Sequence, residues 1–517
     1  MTIYEKESLF KSLDTSYAAL KTYVEGGIGR AELHEVEQDL FRRVLGLARG
    51  FMEVFVALSG TGYQAGHPPL CPEGQPMEYK GTAPEGSPYQ SIFGEIRIYR
   101  AAYANPAGGR VYPIDAQLNL PAHKYSYLLL KWLQASSAEQ DFRSAVNRFN
   151  EIFDSAFLPD LPQRQGLPIA AYVQPFYEQM DAPAPSSEGS HIVISSDCKG
   201  VRILKNERGP APQVPVAKAR RGKGEKPGLK KDAVVVTDYS FDPTARTGED
   251  IVKGLLNQFT PKEHAQKKQD RRRRRSAGQS EPRTPHNKHV FATLEGKQAA
   301  IDPMLAHVQT RDPSGQKPLV ALLDGDPYLE DRLLQQLKTQ GMAHRLDGVI
   351  LDIIHASEYL WDVGTALYGE KGAERIGWIE EKLYVLLEGH VGYLIGGLRQ
   401  RLSKNQDRLT PSQKKALTKT ITYFDNHRHM MHYDVYLNKG YPIATGVIEG
   451  TCGSLVKDRM EQSGMRWSIA GAQAVLAQRA VVKNGDWNDF FTYYIDAERQ
   501  RLYPTVYHTD TSYLKAA

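Results

Sequence analysis

The chain has 517 residues, 41% of them hydrophobic and 24% charged, which is too long for a single core and makes two to four globular domains the expectation. Three cysteines (Cys71, Cys198, Cys452) exclude a disulfide scaffold and fit a reducing cytosol. The net charge of +5 is unevenly spread: residues 199–288 hold 23 Lys and Arg against 10 Asp and Glu, so the rest of the chain carries −8 and the basic region points to a polyanionic partner.

The N-terminus, MTIYEKESLFKSL, is charged from residue 5 onward and has no apolar signal-peptide centre. No run approaches the roughly eighteen apolar residues of a membrane helix, so a cytoplasmic protein without a membrane partner is expected. In AELHEVEQDLFRRVLGLARGFMEVFVAL apolar residues recur at three- and four-residue steps from Leu33 to Leu58, and residues 1–65 read as a helical domain. The Gly- and Pro-rich GTGYQAGHPPLCPEGQP that follows is loop. A weak strand at Gln75–Tyr79 and the alternating SIFGEIRIYRAAY then make a small β-ribbon module over 66–118. YSYLLLKWLQ and DFRSAVNRFNEIF are amphipathic helices of a third segment, 119–186. Their short joint suits a DNA-binding helix-turn-helix, although most such pairs are plain helical hairpins. A Pro/Ser/Gly linker at 182–190 closes this half.

The second half is expected to form one domain over 187–495, followed by a C-terminal tail, 496–517. HIVISSD, VRIL and DAVVVTDYSF (Asp232–Phe241) read as three successive strands, with basic and helical material to about Thr310. LVALLDGD (Leu319–Asp326) is a continuous apolar run ending in acid, as in a buried parallel strand. The helix YLEDRLLQQLKT, a fifth strand GVILDI, helices from Ala356 to about Tyr436 and a last helix opening near Thr445 complete the order. Three strands, helix, strand, helix, strand, helix is the order of a ribonuclease H-like α/β domain, here with a long helical insertion at 356–440.

In that order Asp197 ends the first strand, Asp324 ends the fourth, and Glu449 opens the last helix. Strands one and four are neighbours in this topology, so the two aspartates can face each other, with Asp326, Asp352 and Glu358 as alternatives nearby. Each acid alone has an ordinary reading: a turn or cap for Asp197, an Asp-Gly turn for Asp324, and a first-turn glutamate favoured by the helix dipole for Glu449. Only their joint occurrence points to chemistry. Three hard oxygen ligands with open positions suit Mg²⁺ or Mn²⁺, and two such ions about 4 Å apart serve phosphodiester cleavage.

SSDCKGVRI, LLDGDPYL, ILDIIHASEYLW, GYPIATGVIEGTCGSLVKDRMEQSGMRWS and GAQAVLAQRAVVKNGDW resemble the bacterial insertion-sequence transposases of the IS-Kra group, DDE enzymes related to the Mutator superfamily. The resemblance covers roughly residues 70–500 and is strongest over 440–490. It implies that Asp197, Asp324 and Glu449 are the acid triad of a DNA transposase acting as a homo-oligomer on double-stranded DNA. Related enzymes place a Cys/Asp-x-x-His element after the second acid. Asp352 and His355 match it and would share a helix face, where His355 could orient a phosphate or water; the other reading is a surface histidine that starts a helix. Relatives also carry paired C-x-x-C knuckles. The matching stretches here are CPEG (Cys71–Gly74) and NPAG (Asn105–Gly108), which retain one cysteine of four, so no zinc is expected.

The candidate DNA contacts are basic. KARRGKGEKPGLKK, expected to join strands two and three as a long loop, supplies Lys218, Arg220, Arg221, Lys230 and Lys231. Arg271, Arg272, Arg273, Arg274 and Arg275 cannot pack in a core and are expected on an exposed, mobile arm within 206–288, with a solvated linker as the plainer reading. Such contacts add affinity without reading sequence. Lys457, Arg459 and Arg466 lie near the glutamate, and Trp467 is core or a stacking platform for an unpaired base. Two other outcomes stay open: a structure-specific nuclease on the same fold, and a DNA-binding protein without catalysis.

Overall fold

HIVISSDCKGVR does not turn at its aspartate. In the computed structural model, which describes residues 3–504 apart from 67, 72–73, 105–107, 208–229, 259 and 277–283, His191–Arg202 is one continuous strand, β1. The expected break between HIVISSD and VRIL is therefore corrected. The cause is the neighbouring strand β2 (Lys230–Phe241), which pairs antiparallel with β1 along its whole length, Asp197 opposite Val235 and Gly200 opposite Asp232. A continuous ladder to β2 pairs the backbone on that edge along the whole strand, so the polar Asp-Cys-Lys-Gly run stays extended. Asp197 thus lies within the strand, not at its end. The basic loop joins the first and second strands, and its residues 208–229 lie outside the described residues, with Lys218, Arg220 and Arg221 among them.

The third strand, β3 (His286–Thr293), is one that periodicity did not indicate; it pairs antiparallel with β2. On the other side of β1 lies β4 (Leu319–Leu323), parallel and wholly buried, followed by β5 (Leu346–Leu351), parallel to β4. The order across the sheet is β5-β4-β1-β2-β3. The continuous Leu-Val-Ala-Leu-Leu run of β4 is what a central strand covered on both faces requires.

Helices fill the spaces between strands. After β2 come α1 (Gly248–Leu255) and α2 (Pro261–Ser276). Arg271–Arg275 form the last turns of α2, where Arg272 and Arg273 are exposed as expected of the arm; arginine is a good helix former, and a helix polar on all sides can stand in water. Then α3 (Lys297–Arg311) buries Ala300, Ile301, Met304, Leu305 and Val308 in the main core, and α4 (Pro327–Thr339) adds Leu329, Leu333 and Leu337. The insertion is α5 (Ile353–Tyr368), α6 (Ala373–Leu387), α7 (Val391–Lys404), α8 (Pro411–Asn426) and the short α9 (Tyr433–Asn438), packed into the same core. Next, α10 (Gly446–Thr451) runs on through a π-helical turn at Cys452–Lys457, and α11 (Ile469–Asn484) ends the unit.

These elements belong to a compact unit spanning Tyr177–Asn484; the other unit is Met1–Phe176 with Gly485–Ala517. The expected domain limits of 187 and 495 thus shift, and the helix Trp487–Leu502 belongs to the first unit, where Trp487 Nε1 donates to Lys131 O at 3.1 Å. In that unit Ile3–Gly27 and Leu33–Ser59 form a helical hairpin, and Ser87–Ser91 pairs with Gly94–Ile98 as a β-ribbon. The weak strand expected at Gln75–Tyr79 lies at Glu78–Thr82, paired with Ala101–Ala104. The expected helix pair is Tyr127–Glu139 and Phe142–Phe153, each started by a side-chain cap, Ser126 and Asp141. Among the described residues no helix is long and apolar enough to cross a membrane.

Candidate active site

Strand register brings the two aspartates together. Ser196 of β1 is level with Leu323 of β4, so Asp197 and Asp324 come next on adjacent parallel strands. Asp324 then enters a tight turn. Gly325 has φ +91°, and a Cβ there would lie 2.6 Å from the Tyr423 hydroxyl and 2.9 Å from Leu351 Cδ1, so only glycine fits. The Tyr423 hydroxyl donates to Asp324 O at 2.9 Å, and His427 Nε2 lies 2.8 Å from Gly325 O. Helix α8 of the insertion and the residue just past it thereby clamp the turn that carries the second acid.

Within LLDGD the two aspartates do different work. Asp326 caps α4, accepting from Tyr328 N at 2.8 Å and Leu329 N at 3.3 Å, and it pairs with Lys297 at 2.7 Å. Asp324 is opposed instead by the Asp326 N–H and by His355. Burial pushes its carboxyl above the usual range, and Asp197 and Asp326 push it further.

The third acid arrives on α10. Glu449 is 39% exposed, and its carboxyl is also raised, first by burial and then by Asp352 and Asp197, against the pull of His355 and Thr445. Asp197 acts on both other acids, so the three form one electrostatic unit. One turn later Cys452 lies beside Asp197, and burial together with that carboxylate holds its thiol well above its ordinary value.

Asp352 is fully buried and saturated. Its Oδ1 accepts from Ile354 N at 2.9 Å and Thr445 N at 3.1 Å, while Oδ2 accepts from the Thr445 hydroxyl and from His355 Nδ1 at 3.1 Å. It has no free lone pair aimed at solvent and serves to orient its neighbours. The hydrogen bond that His355 donates to Asp352 outweighs burial and raises His355 to about 9, which favours the charged imidazole at neutral pH. His355 Nδ1 lies 3.8 Å from Glu449 Oε1. Possible ligand atoms of Asp352, His355 and Glu449 all fall within 4.8 Å of one another. A cavity of about 570 Å³ opens over Asp324, His355, Glu358, Tyr359, Trp361 and Tyr423.

The carboxylates fit a hard divalent cation. Asp197, Asp324 and Glu449 present oxygen donors, and Asp324 and Glu449 are raised first by burial and then by neighbouring carboxylates, against His355. Of the three, Glu449 alone belongs, among the described residues, to a group whose ligand atoms all fall within 4.8 Å of one another, with Asp352 and His355.

A second group has the same residue types. Asp238 of β2, His289 of β3 and His307 of α3 also bring ligand atoms within 4.8 Å. Here Arg311, 0% exposed, donates to Asp238 Oδ2 at 2.7 Å and to Glu188 at 2.8 Å, and His307 Nδ1 lies 2.8 Å from the same Asp238 oxygen. A built-in guanidinium already pairs with both carboxylates of this cluster.

Of the expected DNA contacts, Lys230, Lys231, Arg272, Arg273, Lys457 and Arg466 are exposed. Arg459 is corrected, and of the two readings of Trp467 the core one holds. Arg459 is wholly buried with its guanidinium 4.9 Å from the Trp467 ring, and Trp467 Nε1 donates to Met460 O at 3.1 Å. A buried, stacked pair of this kind is core and presents no face to a base. Sequence reasoning missed Thr445, Tyr423, His427 and Cys452. Thr445 had a local signal, four residues before Glu449. Tyr423 and His427 reach Asp324 and Gly325 from about a hundred positions away.

The chain matches no protein-family model, and no curated protein is similar to it.

Proposed function

We propose that this protein is a metal-dependent DNA transposase of the insertion-sequence type its motifs resemble, with Tyr177–Asn484 as a ribonuclease H-like catalytic unit. The observation that carries the reading is the electrostatic coupling of Asp197 with both Asp324 and Glu449, brought by two adjacent strands and a later helix, with Asp324 and His355 lining an open cavity. The sheet order, with three antiparallel strands and two parallel ones beyond the first, supports the fold assignment.

In this reading Asp197, Asp324 and Glu449 hold two Mg²⁺ or Mn²⁺ ions. When bound, the ions supply activation of the attacking hydroxyl and stabilisation of the leaving oxygen. The protein does the positioning. Tyr423 and His427 fix the backbone of Asp324, and Thr445 and Asp352 fix His355 as an imidazolium. That charge lies beside Glu449, suited to a non-bridging phosphate oxygen. Exposed Lys457, Arg466, Lys230 and Lys231 offer phosphate contacts to the duplex. Water first cleaves one strand at the transposon end and leaves a 3′-hydroxyl. That hydroxyl then attacks a target phosphodiester: one P–O bond forms as another breaks, and the target's 3′-oxygen leaves.

The test is incubation with DNA carrying the flanking genomic ends, Mg²⁺ and a target plasmid, with products mapped at nucleotide resolution. Strand-transfer joints support the transposase reading. Cleavage without joints replaces it with a nuclease on the same fold, and binding without cleavage leaves a DNA-binding protein.

A further inference from the structure

We propose that the N-terminal helical hairpin is a self-association surface, and that two copies of this chain pair through it into a four-helix bundle. Nothing in this depends on the catalytic reading.

Leu33–Ser59 is amphipathic, yet the fold uses little of its apolar content. Val54 and Val56 are its buried residues, and Val56 and Met52 pack against the β-ribbon at Ile96 and Ile98. A different stripe faces water. Phe41, Val44, Ala48, Phe51, Phe55 and Leu58 follow each other at alternating steps of three and four, the spacing of a coiled-coil seam. Phe41, Phe51 and Phe55 are 45%, 51% and 63% exposed. The first helix repeats the feature, with Phe10, Tyr17 and Val24 exposed at seven-residue intervals.

The hairpin contact does not use these stripes. Leu13 is buried against Gly50, where a Cβ would come 2.7 Å from its Cδ2, and the Arg43 guanidinium lies 4.3 Å from the Tyr23 ring. At about 100° per residue the first helix's stripe lies about 20–60° from Leu13 and the second helix's about 80–180° from Gly50, turned in the same sense. Because the helices run antiparallel, both stripes fall on the same side of the hairpin. Two helices joined along one seam, with a second apolar seam beside it, are half of a four-helix bundle.

The area decides the occupant. An aromatic side chain offers on the order of 200 Å², so the three phenylalanines alone expose about 300 Å². Leu33, Val44, Leu58 and the first helix's stripe bring the patch to roughly 800 Å², which is one partner's share of a standard stable interface. It is also more than the largest patch of a typical monomer. A second copy presents the same length of seam, and a two-fold axis makes one patch its own complement.

The test is sedimentation or light scattering of the full chain without DNA, from about 1 to 100 μM. The expected result is a species of twice the 57.9 kDa chain mass. In Phe51→Glu/Phe55→Glu the dissociation constant should rise at least thirtyfold, and Phe41→Lys should act in the same direction. Both put good helix formers at exposed positions, and circular dichroism checks that helicity is kept. Arg42→Glu, exposed and off the stripe, should leave the dimer intact. A chain that is monomeric throughout, or that binds only detergent or lipid through this face, overturns the proposal. So does a dimer unaffected by the stripe variants.

Discussion

Two histidine–carboxylate clusters sit on the same sheet, and their difference separates structure from chemistry. Around Asp238 the fold supplies its own cation. Arg311 bridges Asp238 and Glu188, all three side chains are at most 1% exposed, and His307 and His289 stack with ring centres 4.0 Å apart. Around Glu449 the charges are left over. Asp352 is saturated, but Asp197 presses on both Asp324 and Glu449, Asp324 lines an open cavity, and His355 is 34% exposed. Residue types do not distinguish the two clusters. What does is whether a guanidinium has already filled the place that a metal ion would take.

The largest effect is expected at the open cluster. Alanine at Asp197, Asp324 or Glu449 should cut DNA cleavage by about 10³-fold or more while leaving folding intact, and a second removal should add little. Mn²⁺ should substitute for Mg²⁺ and Ca²⁺ should not. Asp326→Ala, which removes a cap and a surface pair, should retain more activity than Asp324→Ala. The reverse order in a cleavage assay would reassign the second acid.

At the closed cluster the effect should be on stability. Asp238→Ala leaves Arg311 buried beside a single carboxylate and should cost about 3–5 kcal/mol in denaturant unfolding. If this variant instead folds like the wild type and loses cleavage, the contrast between the clusters collapses.

Acid sharpens the same point. Burial alone would raise Asp238, but His307, His289 and their hydrogen bonds outweigh it and hold its carboxyl far below the ordinary range. A depressed folded-state value means that the contribution is complete above the unfolded value of about 3.9 and is lost as pH falls below it. The thermal midpoint should therefore drop steeply below about pH 4, and less steeply in Asp238→Asn.

The smallest effect belongs to His355. It touches Glu449 without being one of the acids, so His355→Gln should lower the cleavage rate about 10- to 100-fold with unchanged DNA affinity. A loss as large as that of Glu449→Ala would make it a member of the acid unit.

Much of this was legible before any coordinates. The buried strand at Leu319, the fifth strand, the amphipathic helices of the insertion and the acids Asp197, Asp324 and Glu449 all follow from local apolar pattern and punctuation. The His355 spacing from Asp352 stands out only through the family resemblance. Pattern failed where a partner strand or a distant helix overrode it. β1 passes straight through Asp-Cys-Lys-Gly because β2 satisfies its backbone. β3, HNKHVFAT, has no period of its own and is held by pairing to β2. The charge of Arg459 suggests a surface, yet it lies buried against Trp467.

By itself, then, the sequence determined which segments had to be buried and which acids were available, because burial follows from composition at short range. Tertiary structure alone decided which carboxylates were left unneutralised. That depends on where Arg311, Lys297 and Tyr423 arrive from elsewhere in the chain, and the energy of a buried charge is set by its neighbours in space.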